Sequence, residues 1–111
     1  MSVTHTHQSL LQAILSAALA GSNDLVAAVP GYKIAIYAWS FIAAGAVAIT
    51  WKSGATSLSG AMNYGINGGE IRDVRADGEP WYQTATGEAL VLSLGGAVQV
   101  SGTIYYRLIP A

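Results

Sequence analysis

Turn signals break this chain at intervals too short to fit helices between strands. Gly21-Ser22-Asn23-Asp24, Pro30-Gly31, Ser53-Gly54-Ala55, Asn67-Gly68-Gly69, Asp77-Gly78-Glu79-Pro80, Thr86-Gly87 and Gly95-Gly96 recur about every eight to twelve residues. A parallel strand pair needs a crossover of about a dozen residues or more, so a parallel α/β sheet is excluded. The segments between the turns read as short strands: Leu25–Val29, Tyr32–Ala43, Ala46–Lys52, Thr56–Met62, Glu70–Val74, Trp81–Thr84, Glu88–Leu94 and Val98–Ile109. This spacing predicts an all-β fold, an antiparallel β-sandwich or small jelly roll of about eight strands. Residues 21–111 form a single sandwich domain in this reading. Residues 1–20 are an N-terminal arm or first element, in which 8–15 is a helix or irregular arm and about 15–20 a strand. Leu10, Leu11, Ile14, Leu15 and Ala18 fit helical spacing, and Leu and Ala are good helix formers.

Two stretches imitate membrane signals. Ser9–Ala20 is apolar and ends in small residues like a signal peptide, but residues 1–8 hold no Lys or Arg for the positive leader region. Ile34–Trp51 carries no charge and is long enough to span a bilayer. Its texture favours strands: β-branched and aromatic residues dominate, and Trp39 and Phe41 share one face. Ala44-Gly45-Ala46 then interrupts the run, so two strands joined by a tight turn explain it better than one helix.

The closing strand alternates. Val98, Val100, Gly102, Ile104, Tyr106 and Leu108 lie on one face, against Gln99, Ser101, Thr103, Tyr105, Arg107 and Ile109. A nearly apolar face opposite a mixed one marks a half-buried antiparallel strand. Gly102 inside it signals a bulge or the close approach of another backbone.

Only 10% of residues are charged, where an average soluble domain has about 25%. Charge keeps protein surfaces apart in solution, so a small domain this poor in it is expected to be covered by other chains. The net charge of −1 gives no support to nucleic-acid binding by phosphate neutralisation. There is no cysteine, so neither a disulfide framework nor a thiolate metal site exists.

Candidates for chemistry are sparse. His5 and His7 share a face of an extended chain and have metal-ligand spacing, but they read as part of a polar tail. Glu70, Arg72, Asp73, Arg75, Asp77 and Glu79 concentrate the charge. Asp73, Asp77 and Glu79 offer oxygen ligands without calcium-loop spacing, and the window reads as a solvated loop or an ion-pair contact between subunits. No Ser-His-Asp or Cys-His grouping and no phosphate-cradling loop is present, and one crowded acidic turn leaves little room for a glycosidase cleft. No enzymatic activity and no cofactor is expected. Trp81-Tyr82, beside Pro80, is the aromatic pair expected at the surface, as an interface anchor or a sugar-stacking platform.

The blocks Gly31–Phe41, Ala44–Gly54, Leu58–Met62, Gly87–Leu90 and Val100–Pro110 together resemble small virion proteins of tailed phages, namely capsid decoration (cement) proteins and related head or tail auxiliary proteins. The resemblance spans roughly residues 22–110. It implies a homotrimeric sandwich or jelly roll on the outer capsid surface, assembled in the host cytoplasm, that bridges neighbouring subunits of the major capsid protein or other virion proteins. It implies no catalytic residue, no nucleic-acid partner and no membrane. The expected interface residues are Trp81, Tyr82, Glu70, Arg72, Asp73 and Arg75, with Leu10, Leu11 and Ile14 of the apolar first element. The alternative is a carbohydrate- or receptor-binding sandwich on a fibre or particle surface.

Overall fold

The computed structural model describes residues 10–111, which form ten strands and no helix. The strands are β1 (Leu11–Ala17), β2 (Gly21–Val26), β3 (Tyr32–Ala43), β4 (Val47–Ser53), β5 (Thr56–Ser57), β6 (Met62–Tyr64), β7 (Gly69–Arg72), β8 (Tyr82–Gln83), β9 (Leu90–Leu94) and β10 (Val100–Pro110). Two five-stranded antiparallel sheets pack face to face. The first runs β1-β10-β3-β7, with β8 also on β3; the second runs β2-β9-β4-β5, with β6 also on β4. The all-β sandwich expected from the turn spacing is therefore the observed architecture.

Alternation supplies the core. In β4, Val47, Ile49 and Trp51 point inward at every second position, and Leu90, Leu92 and Leu94 of β9 meet them. The first sheet answers with Leu15, Ala17, Ile34, Ile36, Trp39, Phe41, Val100 and Ile104. Trp39 and Trp51 join the two layers, with ring centroids 4.7 Å apart. The buried hydroxyls of Thr84 and Ser53 are partnered through the main chain: Thr84 Oγ1 accepts the Ile34 amide at 2.8 Å and Ser53 Oγ accepts the Ala85 amide at 2.9 Å, whereas Trp51 Nε1 and Arg107 Nε are buried without a hydrogen-bond partner among the described residues.

The long strand β3 changes face part-way. Tyr105 pairs with Ala38 but Tyr106 pairs with Ile36, so Tyr37 is an extra residue, a β-bulge. Below it Ile34 and Ile36 point inward; above it Trp39, Phe41 and Ala43 do. Tyr37 is itself buried, with the Arg107 guanidinium 4.8 Å from its ring centroid. The uncharged run from Ile34 to Trp51 is thus β3, an arch at Ala44–Ala46 and β4. The two strands lie in different sheets and do not pair. Among the described residues no helix is long and apolar enough to cross a membrane.

Several local expectations are corrected. Residues 11–17 are a strand, not a helix. Their helix propensity is a weak preference, and a complete seven-pair ladder to β10 with Ala13, Leu15 and Ala17 turned inward overrides it. Gly21-Ser22-Asn23-Asp24 is the start of β2 rather than a turn. The reversal lies just before it, where the Asn23 side chain accepts the Leu19 amide at 3.2 Å and donates to the Leu19 carbonyl at 2.9 Å. Thr56–Met62 is not one strand: β5 and β6 are separate, because the Leu58 and Ser59 amides both turn back to the Trp51 carbonyl. Of the two roles open to Gly102, close approach is the observed one. A Cβ there would collide with the Ser40 carbonyl oxygen and come within 2.7 Å of Phe41 Cα, while the bulge sits lower in the strand pair, at Tyr37.

Candidate functional site

The outer face of the first sheet differs from every other surface of the sandwich. Backbone registers align its residues in rows. Ile14 faces Thr103, Thr103 faces Ser40, and Ser40 faces Ile71. In the next row Ser16, Ser101, Ile42 and Gly69 are neighbours, and on the other side Gln12, Tyr105 and Ala38. None of these residues is charged. Ile14 is 80% exposed, Ile71 81% and Ile42 60%. A shallow depression of about 270 Å³ lies among Ser40, Ile42, Ile71, Ser101 and Gly102.

The opposite sheet is finished differently. Its outer rows are Ser22–Ser93–Thr50 and Asp24–Val91–Lys52, so hydroxyls and opposite charges flank the one apolar residue and Val91 is 3% exposed. This is the solvated side expected of an antiparallel sheet. The first sheet lacks that finish in its three rows above the bulge; its outward charges, Arg107 and Lys33, lie below it.

The charge-rich window is largely self-contained. Glu70 accepts the Trp39 indole N–H at 3.1 Å and forms an ion pair with Arg72 at 3.0 Å. Arg75 pairs with Asp77 at 2.6 Å. Asp77 also accepts the Glu79 amide at 3.0 Å. That amide, then the nearby Arg75, holds the Asp77 carboxyl below the usual aspartate range. Tyr64 is pushed up, first by burial and then by the Glu70 carboxylate. Among the described residues no three His, Cys, Asp or Glu side chains converge on a metal-sized site. His5 and His7 lie outside the described residues.

Trp81 and Tyr82 are not the exposed pair expected. Tyr82 stacks on Trp39 with centroids 5.7 Å apart and 12° between planes, and leans on Trp51. Trp81 packs edge-on against Trp39, donates its indole N–H to the Asp73 carbonyl at 2.8 Å, and carries the guanidinium carbons of Arg72 and Arg75 at 4.6 and 5.5 Å from its ring centroid. These cation–π contacts close the loop onto its own tryptophan. A sugar ring would have to displace them to stack there.

Comparison with protein-family models, curated proteins and solved structures gives no match. The surface itself must therefore carry the functional reading. Of the expected interface residues, Ile14 lies in the uncharged face; Leu11, on the opposite side of β1 with Ala13 and Leu15, is 43% exposed at the strand's start, and Leu10 is half-buried. Glu70, Arg72, Asp73 and Arg75 belong to the Trp81 loop instead. Ile42 and Ile71 complete the face and were not singled out by the sequence. Both alternate with residues that turn the other way, Ile42 with Phe41 and Ala43, Ile71 with Glu70 and Arg72. That alternation is the signal that finds them.

Proposed function

We propose that this chain is a non-enzymatic structural subunit that works by packing its uncharged sheet face against other chains, as a coat or decoration component of a phage particle. The observation that carries the reading is the part of that face above the Tyr37 bulge, with three large isoleucines and no charge in three rows across four hydrogen-bonded strands; the charged residues of the same side, Arg107 and Lys33, lie below the bulge. Contiguous exposed apolar surface of this kind marks interaction sites. The phage setting comes from the resemblance of the sequence blocks and is part of the same proposal.

The size of the face suggests how it acts. Four strands about 4.8 Å apart and seven residues at about 3.3 Å each cover roughly 400 Å². A stable pairwise interface uses about 800 Å² per partner. One such contact is weak alone, and many copies on one lattice bind by avidity. The chain is expected in purified particles at many copies, detected by quantitative mass spectrometry. Its absence from particles, together with an expressed chain that shows no association with them, would overturn the proposal.

A further inference from the structure

The sandwich treats its edges unequally. An unpaired edge strand invites another strand, and proteins blunt edges by shortness, charge, bulges or charges turned inward. β5 and β8 have two residues each and β6 three. β2 carries Asp24 and a register shift beside it. β7 has four residues and turns Glu70 and Arg72 inward, opposite Phe41 and Trp39. β1 has none of these devices. It has seven residues, an unbroken register to β10, no charge, no proline and no glycine. Among the described residues no strand occupies its other side.

We infer that β1 pairs antiparallel with β1 of a second copy of this chain, about a two-fold axis at Ile14. This rests on the assembly reading and names its partner. In that register Ile14 faces its own copy, Gln12 faces Ser16, Ala13 faces Leu15 and Leu11 faces Ala17. Every pair sets an outer residue against an outer one, or an inner against an inner, and none brings like charges together. A one-residue slip would set outward side chains against inward ones, and a two-residue slip would shorten the seven-residue overlap, so this register pairs the most residues. The two first sheets become one continuous sheet, and the isoleucine row doubles in length. A closed threefold ring would instead need β1 to meet a different edge of the next copy. Every other edge is blunted, so self-pairing is the contact the molecule favours.

The test uses the full chain, the Ile14→Lys and Ile14→Glu variants, and an equimolar mixture of the two, followed by sedimentation equilibrium. Circular dichroism and thermal melting check that each variant folds. The wild type is expected at twice the 11.5 kDa of one chain. Each variant alone places like charges face to face and is expected to dimerise at least about ten-fold more weakly. The mixture is expected to restore the dimer by opposite charge. A wild type that stays monomeric or forms a trimer, or variants that dimerise as well as the wild type, would overturn the inference. So would a monomer whose β1 amides resist hydrogen exchange, since the chain's own first residues would then cover the edge. A monomer that still binds particles through the Ile42–Ile71 face refutes this contact and leaves the coat-type role standing.

Discussion

Gly102→Ala is a one-methyl test of the central strand pair. Gly102 sits opposite Phe41 where β10 and β3 cross the middle of the first sheet. A Cβ placed there collides with the Ser40 carbonyl oxygen and lies 2.7 Å from Phe41 Cα. Both obstacles are backbone, so no rotamer change relieves them. Overpacking a well-filled site costs about 1–3 kcal/mol, and a backbone obstacle puts this case near the upper end. The native state of a domain is worth about 5–15 kcal/mol in total. With a urea slope of about 2 kcal/mol/M, a loss of about 3 kcal/mol lowers the midpoint by about 1.5 M. The buried Trp39 and Trp51 report the transition by fluorescence. Gly60→Ala is the control: nothing lies within 4 Å of its Cβ, so its midpoint should move by less than about 0.5 kcal/mol worth of denaturant. If Gly102→Ala proves as mild as Gly60→Ala, the two strands do not approach as described.

Further expectations concern the aromatic cluster and the charged loop. Trp39→Ala removes the ring shared by Trp51, Trp81 and Tyr82, and should lower stability by about 3–5 kcal/mol in urea titration. The Asp77 carboxyl is held below its ordinary value, so its contribution to stability is present above the unfolded pKa and lost as pH falls through the folded one. Asp77→Asn should therefore differ from wild type near neutrality and converge with it in acid, as melting across pH would show. Tyr64 is raised, so the associated stability is complete below its unfolded value and lost as pH rises through the folded one. Ultraviolet titration should show Glu70→Gln bringing the Tyr64 transition back down, and an unchanged transition would remove Glu70 as a cause.

The fold was legible because turns are local chemistry. Pro30-Gly31 reverses the chain where the residues require it: Gly31 has φ 79° and the Tyr32 amide donates to the Val29 carbonyl at 3.1 Å. β3 has the bounds its flanking turns set, Tyr32–Ala43, and β10 covers nearly the expected closing strand. What stayed illegible depends on distant partners. Residues 11–17 carry helix formers, and only the ladder to β10 makes them a strand. The bulge at Tyr37 leaves no local mark, because the residues on both sides of it are equally uncharged. Trp81 and Tyr82 looked exposed beside a turn, but two arginines of the same window fold over one and Trp39 stacks on the other. The low charge count pointed to an uncharged surface, without saying which. Only the registers bring Ile14, Ile42 and Ile71, from three separate strands, onto one face.

The most direct test of that face is binding of the Ile42→Lys/Ile71→Lys double variant to particles depleted of the wild-type chain, measured by co-sedimentation. Both residues are more than half exposed and away from the β1 edge, so each change should shift the urea midpoint by no more than about 0.5 kcal/mol worth of denaturant. The expected result is an intact fold with binding weakened at least about ten-fold, the lysines having put charge into an uncharged contact. A folded double variant that binds as well as the wild type would contradict a coat-type role for this face.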